Sequence, residues 1–372
     1  MTESLFFLFK FVLTNIVFAL ILCSCLIRLN KGHEHPTVEL FLASLGLAPA
    51  FVTLLLYYAF LFLPPWPNLV YFMIVIAVYA FFFWLGRKEL RSIFEEFKES
   101  LGKRWKTVFG KPTASAGSHP LAVLFKKFEA LIFGTLLLLV LVYFVLSFIH
   151  VLRLPVDGND ALQYAAQGKA LFKTKHIEFQ RLLLDPDTGT YNPSFHAPSF
   201  SLFLTWERIL NSLFGFKSDL YFRSLAFYFG LLIIAFQFYW LSKKSKWLAL
   251  LGTAGLLSSW SFFNAFIYIH IDTYRIFFLL ACWIFLALAL EKRDRLSFLL
   301  MGSSCGFAAF AHSLGCLIAM ITILIFLFLQ KGTVLYKIKT ASVVALIALA
   351  FGGIHYVIDI FWGSGWLFKI SL

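Results

Sequence analysis

Long uncharged apolar runs recur along this chain and leave it few folds. Leu131 to Ile149 and Thr340 to Tyr356 are the clearest, each close to the ~20 residues that carry a helix across a bilayer core. Of 372 residues, 60% are hydrophobic and 14% charged, more apolar surface than a water-soluble domain can hide. The strands of an outer-membrane barrel would alternate polar and apolar residues, and these runs do not. The pattern predicts an all-α integral membrane protein of about ten transmembrane helices, over residues 5–28, 38–62, 68–86, 129–150, 222–241, 247–264, 273–290, 296–311, 313–330 and 340–361. The first run lacks a basic region before it and a small-residue cleavage site after it, so it reads as a retained span.

The net charge of +13 does not make a nucleic-acid-binding face, because the basic residues lie between apolar runs. They report topology instead. Arg87 to Lys127 holds Arg87, Lys88, Arg91, Lys98, Lys103, Arg104, Lys106, Lys111, Lys126 and Lys127, which the positive-inside rule assigns to the cytoplasm. Counting spans outward from it brings Lys243 to Lys246, Glu291 to Arg295 and Lys331 to Lys339 to the same side, each rich in Lys or Arg. The same count sends residues 151–220 to the non-cytoplasmic side, periplasmic, extracellular or luminal, of an inner or plasma membrane. All five cysteines fall within spans, with no metal-ligand or disulfide spacing.

Two regions divide the chain. Residues 1–128 hold three spans and a basic stretch in which Phe94, Phe97, Leu101 and Trp105 recur at helical spacing, suited to lying on anionic lipid. Ser115 to Pro120 reads as a flexible joint. Residues 129–372 hold the external loop, 151–220, and seven spans.

That loop carries the candidate chemistry. Pro155 and Gly158 break the preceding helix, and the run after Asn159 starts a juxtamembrane one. Asp160 stands at its beginning, and Tyr164, four residues on, shares its face. Asp160 is either a helix cap or, beside Asp157 at a water–lipid boundary, a functional carboxylate. Asp185, Asp187 and Gly189 resemble the opening of a calcium loop but lack its other ligands, which leaves a turn. His196 precedes a helix start, and as a lone histidine is open to a structural or a functional reading. Arg153, Lys169, Lys173, Lys175 and Arg181 are more cations than a passive external loop carries, and an anionic ligand would explain them. Asp272 and Arg275 stand at helical spacing and either pair with each other or serve a site.

Taken in order, these pieces resemble the C-type membrane glycosyltransferases (GT-C), in particular the group of protein O-mannosyltransferases and lipid A aminoarabinose transferases. The matching positions are Asp160-Ala161-Leu162-Gln163-Tyr164 with Ala165 and Ala166, His196-Ala197-Pro198, Arg223 in YFRSLAF, Asp272, and GFAAFAHSLG from Gly306 to Gly315 joining two short helices. The likeness covers residues 135 to 330. It departs from the family at Ala161, where a second acidic residue is usual, at Ala197, where a proline is usual, in three extra leading spans and in having no large C-terminal domain.

The resemblance implies an inverting glycosyltransferase that moves a sugar from a polyprenyl-phosphate donor to an acceptor hydroxyl on a saccharide, lipid or protein. It implies Asp160 as general base. Asp157 and Tyr164 would orient sugar or acceptor, and Lys169, His196 and Arg275, with Arg223 and Asp272 nearby, would bind substrate or the departing phosphate. It assigns no metal ligands and no certain cofactor, a divalent cation remaining open because of Ala161. Two rivals share the features: a lipid-linked saccharide transporter or flippase, and a non-catalytic scaffold of the same fold. A flippase would place charges within the bundle, and here the charges read as sitting at its rim.

Overall fold

A computed structural model describes residues 3–30, 35–96, 120–153, 159–177, 197–267 and 271–362. Their helices are α1 (Glu3–Phe11), continuing through a π-helical turn, Val12–Val17, into α2 (Phe18–Leu29); α3 (Thr37–Phe62); α4 (Asn68–Gly86); α5 (Pro120–Arg153); α6 (Asn159–Thr174); α7 (Ser199–Phe214); α8 (Leu220–Ser242); α9 (Lys246–Ser258); α10 (Trp260–Ile267); α11 (Asp272–Lys292); α12 (Arg295–Ala311); α13 (Ser313–Leu329); and α14 (Val334–Ala348), which passes through a second π-helical turn, Leu349–Gly353, into α15 (Ile354–Trp362). A short helical stretch covers 90–96. No strand occurs among the described residues.

Six of these rods are long and apolar enough to cross a membrane: Glu3–Leu29, α3, α4, α8, α11 and Val334–Phe361. The chain is a multi-pass membrane protein. The other expected segments are helical too, with α12 and α13 at 17 residues each and α9 and α10 interrupted at Ser259. At ~1.5 Å per residue the 34-residue α5 exceeds the thickness of a bilayer core. Of the expected amphipathic residues, Phe94 is exposed, while Phe97, Leu101 and Trp105 lie outside the described residues.

Burial separates interior from periphery. In α3, 72% of the apolar window is buried, against 22% in α4. The α3 rod packs on α2, α7 and α8, α8 packs on α11, and α11 on α12, so helices of both sequence regions share one core. The interior of α3 contains Pro49. Proline has no N–H, which leaves the carbonyl four residues back without its helical partner. The Tyr228 hydroxyl of α8 donates to that oxygen, Leu45 O, at 2.6 Å. The Tyr79 hydroxyl of α4 donates to Ala48 O at 2.7 Å. In hydrocarbon such repair by a neighbouring helix is what makes an internal proline tolerable.

The π-helical turn in the first rod has a comparable logic. It turns Thr14 and Asn15 inward, both fully buried, where Trp206 Nε1 donates to Thr14 Oγ1 at 3.0 Å and the Tyr221 hydroxyl to Asn15 Oδ1 at 3.3 Å. On α12, Gly302 and Gly306 stand four apart, and a Cβ on either would come within 2.8 Å of Ile347 or 2.6 Å of the Ala348 carbonyl oxygen. This small-xxx-small face lets α12 and α14 meet closely. Gly352, at φ +134°, makes the bend that follows.

Charged groups gather at the two ends. At the basic end, His35 Nδ1 lies 2.7 Å from Glu39 Oε1 and Nε2 3.2 Å from Asp294 Oδ2. Lys243 Nζ lies 3.1 Å from Glu39 Oε2, and Thr37 donates to Glu96. His35 and Thr37 thus share one end of the bundle with 87–96, 243–245 and 293–294, three segments that the charge pattern put on one side. Burial alone would raise the Asp294 carboxyl, but hydrogen bonds from the Ser297 hydroxyl and amide, with His35 alongside, hold it below its usual value.

The opposite end holds a buried ion pair. Lys10 Nζ of α1 meets Glu207 Oε1 of α7, both side chains fully enclosed. Lys10 also donates to Asn211 Oδ1 at 3.0 Å, while Glu207 accepts the Tyr221 and Phe222 amides at 3.0 Å each, capping α8. The expectation that charges keep to the rim therefore fails here. A lysine amid phenylalanines gave no sign of a partner 197 positions away.

Candidate functional site

The expected juxtamembrane helix forms as α6 and lies along α7. Gly168 permits the approach, since a Cβ there would sit 2.6 Å from Ser201 O. Ser201 Oγ donates to Gln167 Oε1 at 2.6 Å and Thr205 Oγ1 to Gly168 O at 3.0 Å. The start of α7 is fastened in turn to the end of α12, Ser199 Oγ donating to Phe310 O at 2.6 Å.

Asp160 is the second residue of α6, and its side chain lies outside the described residues, as do Asp157 and His196. Tyr164, one turn on from Asp160, is buried and packs edge-on against Phe200 at 5.5 Å. Phe200 also touches Tyr274 of α11 at 6.2 Å. Tyr274 stands between Asp272 and Arg275, so one phenylalanine joins the Tyr164 segment to the Asp272–Arg275 segment. These last two form the ion pair that their spacing permits. Arg223 pairs with Asp219 at 2.9 Å, also within one helical turn. Lys169 is exposed and, nine positions from Asp160, lies about 180° away around the helix.

Lys175, read from the sequence only as one of several loop cations, and a second group on α15 also stand at this end. Lys175, just past α6, is 7% exposed. Its Nζ lies 3.8 Å from the Phe172 ring centroid and 5.8 Å from those of Phe60 and Tyr71. Burial pulls its pKa down to about 8. On α15, His355 and Asp359, one turn apart and both buried, face Tyr57 of α3, whose hydroxyl lies 3.2 Å from His355 Nδ1. Asp359 is within electrostatic range of Tyr57 and Tyr356, and Tyr164 of Tyr356. The only signal for this group was the presence of ionisable residues inside an apolar run.

The expected break near His312 is present. His312 is extended between α12 and α13, and its Nδ1 accepts the Leu314 amide at 3.0 Å. No group of three or more His, Cys, Asp or Glu residues suited to a metal occurs among the described residues. Comparison with protein-family models, curated proteins and solved structures finds no match to this chain.

Chemically, this end offers phenols, a His–carboxylate turn, an Arg–carboxylate pair and a lysine. Such groups can orient hydroxyls and offset a phosphate.

Proposed function

We propose that the chain is a ten-span, GT-C-like glycosyltransferase that takes a sugar from polyprenyl phosphate at the non-cytoplasmic face. The observation that carries this reading is the Tyr164–Phe200–Tyr274 contact, which ties the helix of Asp160 to the segment of Asp272 and Arg275. In the reaction, the acceptor oxygen bonds to the anomeric carbon as the bond from that carbon to the phosphate oxygen breaks. The acceptor proton passes to the Asp160 carboxylate, and polyprenyl phosphate leaves with an added negative charge. Arg275 and His196 offset that charge, best in a site with little water. Tyr164 and Asp157 orient the sugar, and Arg223 supports the wall of the site. Membrane lipids surround the bundle, and the lipid carrier lies between helices.

The test is mass spectrometry of lipids that copurify with the protein, followed by incubation with acceptor. A bound polyprenyl-phosphate sugar that converts to polyprenyl phosphate supports the reading. Copurified carrier that is never consumed removes the enzymatic role and leaves the scaffold.

One observation favours a second reading, transport of a lipid-linked saccharide. Lys10 and Glu207 are both enclosed within the bundle, where a flippase would carry charge. Movement of labelled carrier across proteoliposomes without covalent transfer would establish it.

A further inference from the structure

Lys175 combines two unfavourable features that a merely structural lysine has no reason to keep. Its φ of +54° falls in the left-handed region that favours glycine. The conformation persists because its amide closes the end of α6 on Leu171 O at 2.9 Å, and it points a cationic side chain inward. There the Nζ is buried and has no hydrogen-bond acceptor among the described residues. Three aromatic faces surround it, and cation–π attraction returns only part of the hydration that an ammonium gives up.

The walls of this cage are placed with care. Phe60 belongs to the last turn of α3, and Tyr71 to the first turns of α4. The Tyr71 hydroxyl donates to Pro64 O at 3.0 Å and accepts the Trp66 amide at 3.0 Å, which fixes the ring against the α3–α4 turn. Beside it Phe62 and Trp66 are exposed, at 71% and 41%. An exposed tryptophan at the end of a spanning helix marks the membrane interface, the level of lipid head groups. Phe172, the nearest ring, is itself partly exposed, so rotation of one side chain opens the amine to that level.

We propose that Lys175, within the Phe60–Tyr71–Phe172 cage, is the cation of a phosphate-binding site at the α3–α4 turn. The ligand is a phosphate group, carried by an amphipathic lipid or free in solution. Its oxygens supply the acceptor that Nζ does not find among the described residues, and a chain, where there is one, lies along Phe62 and Trp66. Lys175 stands at the far end of α6 from Asp160, about 22 Å along the helix axis, so the site is separate from the Asp160 region and does not require sugar transfer. Burial lowers the pKa of this amine, and an anion bound beside it would favour the ammonium and raise it again.

The experiment uses the full chain in detergent. Trace acetylation with acetic anhydride across a pH series, read by mass spectrometry at the Lys175 peptide, gives the titration midpoint of that amine. The probes are farnesyl phosphate, inorganic phosphate and, as an uncharged control, farnesol. Without probe the midpoint should lie near 8. A phosphate-bearing probe should raise it by a unit or more, cutting acetylation at pH 8 by about fivefold or more, while farnesol leaves it unchanged.

Protection by inorganic phosphate would make free phosphate a sufficient ligand, and protection by farnesyl phosphate alone would assign the site to a lipid head group. Both outcomes support the proposal. No shift with either phosphate probe, equal protection by farnesol, or a midpoint already at the ordinary 10.5 would overturn it. None of these readouts depends on glycosyl transfer, so a negative result here leaves the enzymatic reading untouched, and the reverse also holds.

Discussion

The Tyr228 hydroxyl donates to the Leu45 carbonyl oxygen at 2.6 Å, taking up the bond that Pro49 cannot make. Replacing Tyr228 by Phe should therefore leave a buried carbonyl unsatisfied, at a cost of roughly 1–3 kcal/mol. In a Pro49→Ala background, where the helix can supply its own N–H, the same substitution should cost much less. Thermal unfolding of the two single variants and the double variant decides the matter, and strictly additive losses would refute the assignment.

The Lys10–Glu207 pair predicts strong coupling. Lys10→Met alone leaves a buried carboxylate with only the Tyr221 and Phe222 amides as partners, and breaking a buried pair typically costs about 3–5 kcal/mol. Lys10→Met combined with Glu207→Gln removes both charges and still lets the glutamine oxygen accept from α8, so the double variant should be more stable than Lys10→Met alone. A double variant less stable than either single one would show that the charges themselves are needed.

Asp294 predicts acid sensitivity at the basic end. Its carboxyl is held below the usual value in the folded chain, so its contribution is fully present above the unfolded value of about 4 and is lost as pH falls through the lower, folded value. The difference in melting temperature between the parent and Asp294→Asn should shrink as pH drops below about 4. A difference independent of pH would assign the effect to packing.

Lys175 predicts the opposite slope. Its pKa falls from 10.5 to about 8 on folding, so ionisation opposes folding fully below 8, and the penalty fades as pH rises to the unfolded value. Lys175→Met should stabilise the unliganded protein at pH 7 by on the order of 1–3 kcal/mol, with little effect near pH 10.5. Destabilisation at neutral pH would mean that the ammonium is satisfied.

For the proposed transferase, Asp160→Asn should abolish release of polyprenyl phosphate while monodispersity and melting temperature stay at parental values. Full turnover in that variant would take the base role away from Asp160. Arg275→Ala should weaken donor more than acceptor, and because it also removes the ion-pair partner of Asp272, Asp272→Asn is the control for a purely structural loss.

Six of the expected spans were legible because bilayer length and lack of charge are local properties of a run such as Thr340 to Tyr356. The Asp272–Arg275 pair was legible for a similar reason, both partners lying within one helical turn. The choice among the external cations was not. Lys169 and Lys175 look alike as letters, yet helix phase turns the first outward, and a left-handed residue at the helix end turns the second inward. The His35–Asp294 and Lys10–Glu207 contacts were illegible because their partners lie 259 and 197 positions apart and only tertiary packing brings them together. Tyr57, His355 and Asp359 sat inside apolar runs, where periodicity alone could not tell a lipid-facing position from an interior one.

The Lys10–Glu207 contact also orders events at biosynthesis. An amino-terminal helix bearing an ammonium reaches the bilayer long before the ribosome has made the carboxylate that will neutralise it. Until α7 arrives, that charge is best kept near the aqueous boundary, so the first rod can reach its final depth only after the chain has been made through Glu207, 197 positions later. Truncations that end before α7 should then leave the first rod displaced toward the aqueous boundary, a mark that tells an unpaired helix from a paired one.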